Sequence, residues 1–164
     1  MKRTVLPVLL SMMIIVTACV APPKRETVVK SESYEITFYL PAQWEKRLDA
    51  WNKYLLPPQG ERFVWVYGVM KSIGQEPIEL YRSDFNLSYT LNGTERYTTT
   101  LTAVGNNDVY MWAPDQGIHG EPWNYGGVTD ADGFGDRYVF SVPKNAYDFA
   151  LEITSFPPIS LTVR

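Results

Sequence analysis

One cysteine and one histidine are all that 164 residues offer of two side chains central to metal binding and nucleophilic chemistry. With Cys19 alone, no intrachain disulfide can form. With His119 alone, a His-rich zinc site is excluded. Any Ser-His-Asp arrangement has to use His119, near Asp115 and Glu121, and no Gly-x-Ser-x-Gly context accompanies it. No P-loop or Gly-x-Gly-x-x-Gly motif precedes a helix. The 18 acidic residues are spread along the chain, and scattered carboxylates do not identify a glycosidase-like pair. The 15 basic residues are dispersed too, and with a formal charge of −3 they give no reason to expect a nucleic acid partner. A long hydrophobic run is also missing. Val5 to Val16, interrupted by Pro7 and Ser11, falls short of the roughly 20 apolar residues that a spanning helix needs. These absences leave no catalytic chemistry to assign and imply no cofactor.

What is present starts at the N-terminus. Lys2 and Arg3 form a basic head, Val5 to Val16 an apolar segment of secretory-signal length, and Val16-Thr17-Ala18-Cys19 follows. Small residues before a cysteine resemble the lipobox of bacterial lipoproteins. That resemblance implies cleavage after residue 18 and a diacylglycerol thioether on Cys19. Several acyl chains on one residue suffice for stable anchoring without a protein span, at about 0.8 kcal/mol per buried CH₂. In diderm bacteria, inner-membrane retention is favoured by aspartate after the lipidated cysteine, so Val20 implies the outer membrane. In a monoderm the same signal implies the outer leaflet of the plasma membrane. Residues 1–18 are thus read as a signal peptide. Residues 19–33, with two prolines, charges and serines, are read as the lipidated cysteine and a flexible tether. Residues 34–164 are read as one domain, expected to be monomeric.

Within that domain, Tyr34, Ile36, Phe38 and Leu40 alternate as in a half-buried strand. Trp44, Leu48, Trp51 and Leu55 then recur at spacings of four, three and four. With Pro41 before them and Pro57-Pro58 after, they predict an amphipathic helix over 42–55. Its two tryptophans suit either a membrane-contacting face or a cap on the sheet. Core packing is the expectation, since acyl chains already supply membrane affinity. Residues 63–70 are apolar on both faces, as in a central strand covered on two sides. Phe85, Leu87, Tyr89 and Leu91 alternate into Asn92-Gly93, a strong hairpin signal because both residues tolerate positive φ. Further strands follow at Tyr138–Val142, Asp148–Ile153 and Ile159–Val163. Short strands with a turn signal every ten or so residues predict an all-β antiparallel sandwich.

The stretches RFVWVYGVMKSIGQEPIEL, SDFNLSYTLNGTERY and YVFSVPKNAYDFALEI resemble the telokin-like, immunoglobulin-like domains of unknown function found in bacterial lipoproteins. The matching positions are Gly74, Asp84, Phe85, Leu87, Phe140, Val142, Pro143, Leu151 and Ile153, over roughly residues 34–155. Ser72 stands where that pattern commonly has asparagine. The resemblance implies an immunoglobulin-like β-sandwich, with the helix as an insertion after the first strand. It transfers no catalytic site.

Two segments invite a functional reading. Between Gly105 and Gly127 lie five glycines and the aromatics Tyr110, Trp112, Trp123 and Tyr125, with no strand or helix period. Such residues either bury themselves under a folded-back loop or form a surface for a protein or glycan partner. Downstream, TDADGFGD supplies Asp130, Asp132 and Asp136 as calcium candidates. Aligned on Gly133, however, an EF-hand loop meets Val128 and Val139 at two ligand positions. Asp132-Gly133 reads better as a turn feeding the next strand. The Asn-x-Ser/Thr matches at Asn86 and Asn92 are chance behind a bacterial lipobox. The expectation is a membrane-anchored, non-enzymatic envelope module that binds an envelope or extracellular partner. The alternative is an assembly subunit of a secretion or envelope-spanning machine.

Overall fold

The computed structural model describes residues 25–50, 53–73, 79–105, 123–124 and 134–164. Two antiparallel sheets carry the fold. Sheet I has the order β1-β2-β5-β11-β9, formed by Arg25–Lys30, Tyr34–Glu45, Glu61–Ser72, Phe134–Pro143 and Ala103–Gly105. Sheet II has the order β13-β12-β7-β8, formed by Ile159–Leu161, Tyr147–Ile153, Phe85–Leu91 and Glu95–Thr100. Two small two-stranded units accompany them: β3 (Leu48–Ala50) with β4 (Lys53–Leu55), and β6 (Glu79–Leu80) with β10 (Trp123–Asn124). The expected sandwich is therefore present. Among the described residues the only helical turn is a 3₁₀ segment at Arg82–Asp84.

Alternation along the strands builds the core. Ile36, Phe38 and Leu40 of β2, Val64 and Val66 of β5, and Tyr138, Phe140 and Val142 of β11 face Phe85, Leu87, Phe149, Leu151 and Ile153 of sheet II in one buried cluster. β5 sits between β2 and β11, as its two apolar faces require. At Gly68 the strand gives up a side chain for packing. A Cβ there would stand 2.8 Å from the Tyr138 ring and 3.0 Å from the Phe38 ring. Those two rings instead meet edge to face at 5.4 Å. Asn92 and Gly93 adopt φ of 50° and 113°, and β7 and β8 close around them with Leu91 opposite Glu95.

Two expectations are corrected. The helix over 42–55 is not formed. Ala42–Glu45 complete β2, while Leu48 pairs with Leu55 across the β3–β4 hairpin; Trp51 lies outside the described residues. A spacing of seven returns two residues to one helix face, but it also makes them direct partners across a short turn. Tertiary demand decides between the two. Phe63, Ala103 and Val139 on the outer face of sheet I form a second apolar cluster, which Leu48 and Leu55 cover. Trp44 takes no part in that cluster and is 42% exposed.

The tether expected over 19–33 contains a strand, because Arg25–Lys30 pair with β2 from Arg25↔Leu40 to Lys30↔Glu35. Only Val29 enters the core from this strand, while its neighbour Val28 stays exposed. One buried residue in a polar run leaves no period to read.

Candidate functional site

The residues singled out by sequence fall unevenly in the structure. Cys19, Tyr110, Trp112, Asp115, His119, Glu121, Tyr125, Asp130 and Asp132 lie outside the described residues. Trp123 belongs to β10, with its backbone opposite Leu80. Asp136 sits inside β11 opposite Gly68 and is 1% exposed, so it is built into the sheet and does not lie on an open loop. Among the described residues no three His, Cys, Asp or Glu side chains gather as a metal site would need.

The described residues do form a groove of about 650 Å³ at one end of sheet I. β2 ends there with Trp44 and Glu45, β5 begins there at Glu61, and β11 ends there at Pro143, opposite Glu61. Leu56 to Gly60 link β4 to β5 and form one wall, fixed by Glu61 N–H donating to Pro58 O at 3.0 Å. Lys144 is held against the same turn, its N–H on Gly60 O at 3.0 Å. Trp44 is tied by backbone bonds of its own strand to the C-terminal segment, donating to Arg164 O at 3.1 Å. The Arg62 guanidinium lies over the Trp44 ring at 5.7 Å and donates through Nη2 to Ala146 O at 3.0 Å. Its Nε–H is buried without an acceptor. Glu61 accepts from the Ser141 hydroxyl. The lining thus combines three cations, Lys46, Arg62 and Lys144, with one carboxylate and an exposed rim of Trp44 and Leu56. That composition suits an anionic group presented beside an apolar or ring surface.

Two other surfaces carry organised side chains. On the outer face of sheet I, Arg137 stacks on Trp65 at 4.5 Å, and Tyr39 and Tyr67 meet at 5.8 Å. On the outer face of sheet II, Arg96 bridges strands by donating to Asp148 Oδ2 at 2.6 Å and to Ser88 Oγ at 2.9 Å. Thr90 Oγ1 donates to the same Asp148 oxygen at 3.3 Å. This face is internally satisfied, and its polar groups need no ligand. The shifted titrations are structural as well. Burial, then Asp84, raises the Tyr34 phenol; burial, then Glu61, raises Tyr89; and a hydrogen bond to Glu95 raises Tyr97. Burial lowers Arg82, whose Nε donates to Leu101 O.

Sequence reasoning missed the groove because its parts are far apart in the chain. The sequence places Trp44 on a helix stripe and Pro57-Pro58 at a helix stop, and nothing in it singles out Lys144. Only strand pairing brings residues 44, 62 and 144 to one edge. No protein-family profile matches the chain, and no curated protein is similar to it. Among solved structures it resembles an uncharacterized β-sandwich protein from Clostridium difficile. The TM-score is 0.51 at 14% identity, covering 84% of this chain and 88% of that one. At that identity the likeness concerns the fold alone, and the fold it shows is the β-sandwich.

Proposed function

We infer that this is a lipid-anchored cell-envelope protein, held by acylated Cys19, whose sandwich acts as a non-enzymatic binding module for an envelope or extracellular protein or glycan. The observation that carries the reading is the order of parts along the chain. The lipobox-like Val16-Thr17-Ala18-Cys19 ends six peptide steps before Arg25, where sheet I begins. The aromatic positions Tyr110, Trp112, Trp123 and Tyr125 fall between Gly105 of β9 and Phe134 of β11. Phe134 pairs with Met70 toward the end of sheet I away from the groove, and Gly105 pairs with Arg137 nearer its middle. The lone histidine and cysteine favour binding over catalysis. By the strand pattern noted above, the sandwich is read as the immunoglobulin-like, telokin-like kind.

A photo-crosslinking residue placed at 112 or 123 in the native cell tests this. Adducts to one envelope component are expected from both positions and none from position 98 on β8. Adducts from neither 112 nor 123 would refute the aromatic binding surface. Intact mass of the purified chain should show Cys19 as the acylated N-terminal residue; an unmodified Cys19 would remove the anchor.

A further inference from the structure

We propose that the groove lined by Trp44, Lys46, Leu56, Arg62 and Lys144 is a membrane-docking surface that seats on anionic lipid headgroups of the bilayer holding the anchor. The proposal rests on acylation of Cys19. Its first support is the length of chain available. Because β1 starts at Arg25, only six peptide steps separate the acylated residue from sheet I, a reach of at most about 22 Å. Arg25 pairs with Leu40, and β2 continues past that point to Trp44 and Glu45. β1 runs from Arg25 away from the groove, so its N-terminal end is the one turned toward Trp44, which stands four residues, about 13 Å of strand, beyond Leu40. The groove is within the reach of the leash, which holds it close to the headgroups at high effective concentration.

The second support is charge. The chain is acidic, with a formal charge of −3, yet this groove gathers three cations against Glu61. A local reversal of sign within reach of the anchor is what an anionic surface attracts, over a range set by the Debye length. The third is the rim. Trp44 and Leu56 are 42% and 59% exposed beside those cations. Indole at the headgroup level, with an aliphatic side chain below and cations beside it, is the composition of an interfacial contact. A soluble acidic glycan or a second copy of the chain would use the same charges but gains nothing from the nearby anchor.

The test uses the full acylated chain, reconstituted in vesicles of neutral phosphatidylcholine or of phosphatidylcholine with phosphatidylglycerol. Lipids brominated on the acyl chain quench tryptophan fluorescence, and the difference between the native chain and Trp44→Phe isolates Trp44. Quenching of Trp44 several-fold stronger in anionic than in neutral vesicles is expected. It should be lost in Lys46→Glu/Lys144→Glu, and lost when salt rises from about 0.01 M to about 1 M, as the Debye length shrinks from roughly 30 Å to roughly 3 Å. Slower amide exchange of residues 56–62 in anionic vesicles gives the same readout on the unaltered chain, whatever the variants do to folding. Equal quenching and exchange in both vesicle types would overturn the proposal. So would a Trp44 response to soluble polygalacturonate but not to vesicles, or a crosslinked dimer joined through the groove. A chain that is acylated and anchored but shows no Trp44 signal refutes docking alone, whereas a chain without acyl groups refutes the anchor and docking together.

Discussion

Gly68 illustrates how one position ties the strand to the core. It lies between Phe38 of β2 and Asp136 of β11, and its missing side chain is the space in which the Phe38 and Tyr138 rings cross. Gly68→Ala is expected to destabilise the fold by about 1–3 kcal/mol, the usual cost of overpacking. Thermal melting checks it, and an unchanged midpoint would show that the rings can move aside. The tyrosines make a second prediction at this scale. Tyr34, Tyr89 and Tyr97 all have phenols raised above the ordinary value of about 10, so the folded state holds protons that the unfolded chain has begun to release. Their contribution is fully present below pH 10 and declines as pH rises through the folded values. Unfolding midpoints should therefore fall with pH above about 10, less steeply in Tyr89→Phe. An identical slope in that variant would exclude Tyr89 as a contributor.

At the scale of elements, the β3–β4 hairpin separates two readings of one pattern. In a helix over 42–55, Trp44 and Leu48 would share a buried stripe. In the hairpin, Leu48 is fully buried against Phe63 and Val139 while Trp44 stands at the groove rim. Leu48→Ala should cost about 2–5 kcal/mol, as core truncations do. Trp44→Phe should stay within about 0.5 kcal/mol, as exposed changes do. Denaturant titration of the two variants checks the difference, and equal losses would restore the helical stripe. The strands themselves were legible where one face is buried. Phe85–Leu91 and Tyr138–Val142 alternate in the sequence and in the structure, and Asn92-Gly93 closes the hairpin it announces. β1 was not legible, because Arg25–Lys30 buries a single valine and owes its place to hydrogen bonds with β2. Trp44 was misplaced for the same reason. Apolar spacing records which residues prefer burial, not which partner surface is there to receive them.

For the whole molecule, one core cluster joins every strand of sheet II except β8 to every strand of sheet I. The sheets should then unfold together. Far-UV circular dichroism and tryptophan fluorescence are expected to give the same denaturant midpoint, and two separated transitions would mean that one sheet survives alone. The long dimension of sheet I also gives it two ends, the basic aromatic groove where β5 begins at Glu61 and, toward the other, Phe134 opposite Met70, from which β11 leaves the aromatic segment.

The sequence by itself determined the all-β character, the core-facing residues of β2, β7, β11 and β12, and the hairpin at Asn92-Gly93, because alternation and turn chemistry act over a few residues. The tertiary structure alone decided that residues 48–55 are a hairpin, that Arg25–Lys30 is a strand, and that Trp44, Arg62 and Lys144 meet. Those outcomes depend on which surfaces the sheets leave uncovered and which strand ends share an edge. Such relations span about a hundred residues of chain and have no local pattern to announce them.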